Sequence, residues 1–320
     1  DATSAGKVVV ITDNLVEYPC IPVSISQQYV DYVVKVEKIG IPEKIGAGAT
    51  RMTNNPRDLM IAKRVADVIA SSRMFMDGFS FQTGAGTISI ACTNYLAQHM
   101  EKRNIKASFA LGGMTANIVD MFNKGLVRVL LCSQSFDSIA ARAIAEHQNI
   151  IEIDNAVYSN KFSKGCMLDK LNFGVLAGLE IDVDFNLNIL TGSNGSMMGG
   201  LGGGPDVAEG ADISIVTLPI IRGRTPSVVK KVFTVCTPGE TVAMVVTEAG
   251  IALNPRHKHY KMLREDLEKS GFKIVSIEWL CQLAESMTGI PKPIECTDKI
   301  VCIVEYRDGT VIDVIRQVKR

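Results

Sequence analysis

Apolar positions along this chain fall into two alternating rhythms. Lys7 to Thr12 (KVVVIT) and Val127 to Cys132 (VRVLLC) are nearly unbroken Val, Ile and Leu, the pattern of strands buried on both faces. Asp31 to Lys38, Phe79 to Thr83, Asn172 to Ile181 and Asp212 to Pro219 also read as strands. Between them the spacing changes to that of helices. Arg57 to Ala70 places Leu59, Met60, Ala62, Ala66 and Ile69 on one side, entered through Asn55-Pro56. Thr87 to Arg103, Thr115 to Lys124 (closed by Gly125), Ser135 to His147, Lys258 to Ser270 and Ile277 to Met287 are further helices. Val228 to Val235 and Thr241 to Thr247 read as a strand pair turning at Pro238-Gly239. The final segment reads as a hairpin turning at Asp308-Gly309. Strands alternating with helices predict an α/β fold, an open sheet with flanking helices.

Composition narrows the picture. The chain has 320 residues, 47% of them hydrophobic, enough for a large core. Lys plus Arg equals Asp plus Glu at 34 each, which argues against a nucleic-acid binder working by broad electrostatic attraction. No apolar run reaches membrane-spanning length, and the first residues lack the apolar stretch of a secretory signal, so the reading is a cytoplasmic protein. Eight cysteines stand at 20, 92, 132, 166, 236, 281, 296 and 302 with no C-x-x-C, and read as small buried residues in a reducing compartment.

Four places carry candidate chemistry. Gln82-Thr83-Gly84-Ala85-Gly86-Thr87 lies between a predicted strand and helix, where glycines let a ligand approach and a helix N-terminus offers free N–H groups. Ser89 replaces the third small residue of a dinucleotide fingerprint, so the match to a nicotinamide site is weak, and a tight structural turn is the competing reading. Gly192 to Asp206 holds seven glycines within residues 192–204, a costly concentration that suits a loop lining a site, against a flexible surface loop. Glu248, in VVTEAGIA, ends an apolar strand where open sheets place their sites, against a solvated turn. Arg222 and Arg224 could grip carboxylates, against an exposed loop pair. His257-Lys258-His259 lacks a third ligand nearby and does not argue for a metal. These residues give an α/β enzyme with a glycine-lined site and no substrate.

A resemblance adds one. The strings KIGAGATRMTNNPRDL (44–59), GFSFQTGAGT (78–87), FALGGMTANIVDMFNKGLV (109–127), QSFDS (134–138), LEIDVDFNLNILTGSNG (179–195), IVTLPIIRGRTPS (215–227), TPGETVAMVVTEAGIALNP (237–255) and KIVSIEWL (273–280) are together similar to the citrate lyase α-subunit family, over nearly the whole chain and in order. The resemblance implies a CoA-transferase-like fold of the isomerase/CoA-transferase superfold. It implies residues 1–45 as the end of an upstream CoA-transferase-like domain and linker, and 46–320 as the C-terminal CoA-transferase domain. The chain starts at Asp1 rather than Met, in keeping with a piece that begins in that upstream domain's last strand.

The implied reaction exchanges acetyl for citryl on a carrier thioester. The implied partners are a β (lyase) subunit, a γ acyl carrier subunit, citrate and an acetyl thioester, within an oligomer and with no nucleic acid or membrane. No cofactor is held permanently by this chain; the acyl carrier presents a CoA-like prosthetic group. The implied roles are catalysis for Glu248, by positioning or electrostatics and not necessarily by acylation; thioester, CoA and oxyanion binding for Thr83, Gly84, Gly86, Gly199, Gly200, Gly202 and Gly203; and citrate binding for Arg222 and Arg224. The competing functions are an acyl-CoA hydrolase or another carboxylate CoA-transferase of the same fold, and a non-catalytic subunit that binds a metabolite or partners.

Overall fold

The structure, a computed structural model, describes residues 2–20, 23–41, 52–84, 86–192 and 194–319. The expected domain boundary at 45/46 lies outside them, as do Ala85 and Ser193. The first elements are β1 (Val9–Thr12) and β2 (Tyr32–Lys35), which pair in parallel as a small sheet of their own. Next comes α1 (Pro56–Ser71), started by Pro56 in its first turn and by the Asn55 side chain, which accepts the Arg57 amide at 3.0 Å. Then β3 (Ser80–Thr83), α2 (Thr87–Arg103), β4 (Ala107–Met114), α3 (Ala116–Asn123), β5 (Val127–Ser135), α4 (Ser138–Glu146) and β6 (Ile150–Glu152) alternate, followed by the short α5 (Asn155–Ser159).

In the second half β7 (Phe173–Ala177) leads to β8 (Glu180–Asp182), β9 (Leu187–Asn188), the glycine-rich stretch and α6 (Gly204–Gly210). There follow β10 (Ile213–Thr217), β11 (Ile221–Arg222), β12 (Thr225–Pro226), β13 (Val228–Val229), β14 (Met244–Val246), β15 (Ile251–Leu253), α7 (Tyr260–Lys269) and α8 (Ile277–Thr288). The hairpin β16 (Cys296–Glu305) and β17 (Val311–Val318) closes the described chain. Among the described residues, no helix is long and apolar enough to cross a membrane.

The main sheet has eight strands in the order β15-β14-β10-β7-β3-β4-β5-β6, and all its pairings are parallel except β14 with β15. Helices cover both faces. Ile61, Ile69, Leu96, Met100, Ile118 and Leu263 pack on one face, and Leu168, Val207, Ile277, Leu280 and Ala284 on the other. This three-layer arrangement is what near-continuous apolar strands require, since neither sheet face can meet water. Phe79, Phe81 and Phe173 are at most 2% exposed, with ring centroids 5.7 and 6.1 Å apart along the row. Each buried Phe contributes about 1.5–3 kcal/mol relative to leaving it in water.

Two sequence expectations are corrected. The strand expected from Asn172 to Ile181 divides at Gly178 into β7 and β8, which belong to different sheets. A Cβ at Gly178 would stand 2.6 Å from the Leu187 side chain, so the chain turns there where only Gly fits. The pair expected at 228–235 and 241–247 is not a hairpin. β13 pairs with β8, while β14 lies in the main sheet between β10 and β15. Pro238-Gly239 instead opens a short 3-10 turn over Gly239–Thr241.

Candidate active site

The chain's order of strands reverses beside β3. From β3 it moves outward through β4, β5 and β6, then returns to β7 on the other side and continues through β10 and β14. The helices therefore leave on opposite faces at β3 and β7, and a crevice opens beyond their C-terminal ends. A cavity of about 770 Å³ sits there, lined by Gln82, Thr83, Gly84, Val175, Leu176 and Ala177 from the two strand ends. Gly200, Leu201, Gly202, Gly203 and Gly204 form its opposite wall. Among the described residues, the one charged side chain in the lining is Asp206, and the other polar groups are amides and hydroxyls such as Gln82, Gln134, Asn155 and Thr237.

Three glycines make room for the side chains that shape this cavity. A Cβ on Gly112 would lie 2.8 Å from the Gln82 amide carbon, one on Gly113 1.9 Å from the Phe136 ring, and one on Gly203 2.8 Å from the Tyr158 hydroxyl. Gly112 also has φ of +100°, which L side chains rarely adopt. Gln82 is thus held between Gly112 and Tyr158, with its Nε2 2.8 Å from the Tyr158 hydroxyl. Burial pushes the Tyr158 phenol up to about 12, with the Gln82 bond acting the other way, so it stays protonated at neutral pH. The Thr83 hydroxyl is 3.0 Å from Thr93 Oγ1, an internal bond between β3 and α2. Gly86 caps α2 without any side-chain acceptor. Ser89 is buried beside Gly84 and Gly86, and its hydroxyl has no hydrogen-bond partner among the described residues.

Glu248 lies on the same edge of the sheet but outside this cavity. It follows β14, which is two strands from β7, so Glu248 stands about 10 Å along the edge from Ala177. Its Oε2 accepts the Ile220 amide at 2.9 Å. The turn beneath it is closed by Thr247, whose hydroxyl accepts the Ala249 and Gly250 amides, each at 3.1 Å. A Cβ on Gly250 would meet Val275 at 2.7 Å, so the glycine after Glu-Ala is a packing requirement.

Cations from α1 reach this end of the sheet. Arg57 donates to the Ile221 carbonyl at 3.1 Å, and Arg64 to the Thr247 carbonyl. Arg222 donates to the Gly178 carbonyl at 2.7 Å. One side of Arg222 is open to solvent, yet burial of the rest lowers its pKa; Asp58 opposes that shift and Arg57 adds to it. Arg222 lines a neighbouring depression of about 520 Å³ with Gly192, Asn194 and Met198. Arg224 is exposed on the turn between β11 and β12.

The predicted site residues therefore divide. Thr83, Gly84, Gly200, Gly202 and Gly203 meet at one cavity. Gly86 borders it through Ala177, 3.6 Å from its would-be Cβ, and Gly199 lies just before the lining loop. Arg222 stands with Arg57 and Asp58 elsewhere on the same edge, where Glu248 is tied to the Ile220 amide. Sequence reading missed Tyr158, Asp206 and Arg57. The Gly112-Gly113 pair inside a strand was the available signal, because glycines within a strand mark close approach by another group.

A second cavity, about 630 Å³, lies beyond the end of β15 among Arg256, Tyr260 and Arg264. β15 runs antiparallel, so that cavity is at the opposite edge from the strand C-termini and contains none of the predicted site residues. His257 and His259 have ring centroids 5.8 Å apart, and among the described residues no cluster of three His, Cys, Asp or Glu could hold a metal.

Known proteins resemble this chain over its whole length. The family model described as citrate lyase, alpha subunit, matches residues 1–318. The citrate lyase alpha chain of Escherichia coli (strain K12) is 51% identical over 319 residues, which is 100% of this chain and 62% of the relative. A crystal structure of an α subunit of citrate lyase from Streptococcus mutans, in complex with citrate, superposes with a TM-score of 0.93 at 45% identity, covering 100% of this chain and 62% of that one. A Pseudomonas malonate decarboxylase hetero-tetramer, with malonate, shares the fold at TM-score 0.58 and 16% identity, over 89% of this chain and 59% of that one. The chain thus spans a little under two thirds of the length of the citrate lyase proteins it matches. With a family model and a relative of 51% identity both running its full length, this chain belongs to the citrate lyase α-subunit family.

Proposed function

We propose that this chain is the part of a citrate lyase α subunit that exchanges acetyl for citryl on a carrier thioester and releases acetate. The observation that carries the reading is the match of the whole chain, at 51% identity, to a citrate lyase alpha chain. The Streptococcus mutans structure with citrate, at 45% identity, supports citrate as the acceptor. Residues 1–45 are read as the end of an upstream domain and linker, and 46–320 as the C-terminal CoA-transferase domain. The partners are a β subunit that cleaves the citryl thioester and a γ subunit that carries the CoA-like arm, in a cytoplasmic oligomer. This chain then needs no cofactor of its own.

The two clusters suit the two substrates. A cavity lined by amides and hydroxyls, with one acid, suits an uncharged, amide-rich thioester arm. The edge bearing Arg57 and Arg222 suits the carboxylates of citrate, since a guanidinium grips a carboxylate in bidentate fashion. Arg224, out on its turn, is the weaker candidate of the expected pair.

In the reaction a citrate carboxylate oxygen attacks the thioester carbonyl carbon, giving a tetrahedral oxyanion. Its collapse breaks the C–S bond and leaves a mixed anhydride and a thiolate. The thiolate attacks the citryl carbonyl, and acetate departs. Each oxyanion needs N–H donors, worth about 3 kcal/mol apiece, and the backbone at Gly84, Gly86 and Gly199 to Gly203 is the candidate source. Glu248, tied to Ile220, positions groups and shapes the local field rather than taking the acyl group.

The test mixes the full chain with acetyl-CoA, as a stand-in for the carrier, and citrate, and detects citryl-CoA by mass spectrometry. Citryl-CoA formed only with protein and citrate together supports the transferase. Acetate release without citrate would point to a hydrolase. Silence from this chain, and again from a chain extended to the length of its relatives, would sink the reading.

A further inference from the structure

The turn between β16 and β17 reaches back to the active-site cavity through one side chain. The Arg307 side chain is only 8% exposed, and its guanidinium meets two segments at once. Its Nη2 donates to the Ser159 carbonyl at 2.7 Å, at the end of α5. Its Nε lies 3.2 Å from Asp206 Oδ1 and its Nη1 4.0 Å from Glu209 Oε2, both on α6; the Nε contact is an ion pair without hydrogen-bond geometry. Ser159 and Asp206 line the cavity on separate walls. Lys161 makes a second tie, 3.3 Å from Glu209 and 3.9 Å from Asp308. The hairpin is itself anchored: Asp313 accepts the Val235 amide at 2.7 Å, and Val304 and Ile315 are buried against Leu190, Cys236 and Leu201.

We propose that Arg307 is a positioning residue for thioester exchange, a latch that holds the α5 wall to the glycine-rich wall and cancels the single charge in the cavity lining. This rests on the reading of the cavity as the site of the thioester arm. The physical argument has two parts. The wall from Gly199 to Gly204 has little intrinsic stiffness, because glycine is the residue with most backbone freedom to lose. A guanidinium joining its far end to α5 limits that freedom from outside the cavity. An uncovered Asp206 carboxylate would also oppose the oxyanion and thiolate that develop beside it, since like charges in a poorly solvated site repel strongly. Arg307 supplies the opposite charge without entering the cavity.

The variants are Arg307→Met, Arg307→Lys and the double change Arg307→Met with Asp206→Asn, all in the full chain. For Arg307→Met the expected result is a fall of about tenfold in kcat/KM for acetyl-CoA, with the KM for citrate within about threefold of the parent. Adding Asp206→Asn is expected to recover part of that loss, the share due to the uncovered charge, while the share due to the lost tie remains. A purely structural role gives the reverse, since a second lesion repairs nothing. Arg307→Lys, with charge but no fork, is expected in between. Hydrogen exchange supplies a readout independent of turnover: amides at 199–210 and 155–161 should exchange about fivefold faster in Arg307→Met, and those of β7 unchanged. Unchanged exchange, or unchanged kcat/KM for acetyl-CoA, would overturn the latch. A parent chain that transfers nothing would count against the reading of the cavity, while exchange would still decide whether Arg307 ties its walls.

Discussion

The Glu248 carboxylate accepts the Ile220 amide at 2.9 Å, which joins the turn after β14 to the segment leaving β10. The bond fixes where the carboxylate stands on the sheet edge, next to the Thr247 and Ile221 carbonyls that Arg64 and Arg57 reach from α1. It also separates two contributions. Glu248→Gln keeps an oxygen acceptor for Ile220 and loses the charge, whereas Glu248→Ala loses both. If the charge acts in transfer, both variants fall about 100-fold in rate, close to 3 kcal/mol of barrier, and only the Ala variant also melts lower. Intact mass after incubation with acetyl-CoA should show no acyl adduct in the parent. Nearly full transfer by Glu248→Ala would remove Glu248 from the mechanism.

Gly113 tests whether the cavity wall depends on close packing. Its missing Cβ would stand 1.9 Å from Phe136, so Gly113→Ala forces the ring or the strand to move, at a cost of about 1–3 kcal/mol. Phe136→Ala alone should cost its own packing energy. The double variant should be more stable than the sum of the two, with a coupling of about 1 kcal/mol or more in urea unfolding. Simple additivity would mean that the two positions do not touch.

Much of this architecture is legible in the sequence, and the parts that are not have physical reasons. The helix expected at Thr87 to Arg103 matches α2 at both ends, because the glycines before it and Asn104 after it, at φ 52°, mark the boundaries chemically. The glycine-rich stretch is legible only in part: residues 200–204 line the cavity, but Met197 and Met198, the apolar side chains that argue against a solvated linker, are 59% and 60% exposed. By contrast, the sequence pattern joins the segments of β13 and β14 into one hairpin. Two apolar runs around Pro-Gly satisfy the local rule, and only the distant pairing of β13 with β8 decides otherwise. Tyr158 and Arg307 gave no local signal, since each acts on residues far away in the chain, Gln82 and Asp206. Single-sequence patterns report neighbours along the chain, and a site assembled from strand ends is mostly made of the other kind.

The two arginines expected to bind citrate should behave differently. Arg222 is held by the Gly178 carbonyl at 2.7 Å beside Arg57 and Asp58, while Arg224 stands exposed on the turn. A charged hydrogen bond to substrate is worth about 1.5–3 kcal/mol, so Arg222→Ala should raise the citrate KM about 10- to 100-fold. Arg224→Ala should change it less than about threefold, as expected for an exposed charge. Steady-state kinetics at varied citrate separate the two, and equal effects would mean that the turn folds over the substrate.

Stability should fall on the acid side through His257. This imidazole is 6% exposed, and burial, helped by His259 and Lys258, pulls its pKa down from 6.5 to about 4. Its Nδ1 accepts the His259 amide at 3.2 Å, a bond available only to the neutral ring. Protonation is therefore easier in the unfolded chain than in the folded one. Above pH 6.5 both states are neutral here and the full contribution is present. As pH falls from about 6.5 toward 4, the unfolded state binds a proton that the folded state refuses, and stability drops. The upper bound for this one group is about 3 kcal/mol, from a shift of roughly two to three units. His257→Asn removes the titration, so its stability measured by urea unfolding should fall less steeply between pH 6.5 and 4 than the parent's. Parallel curves for the two proteins over that interval would show that His257 titrates alike in the folded and unfolded chain.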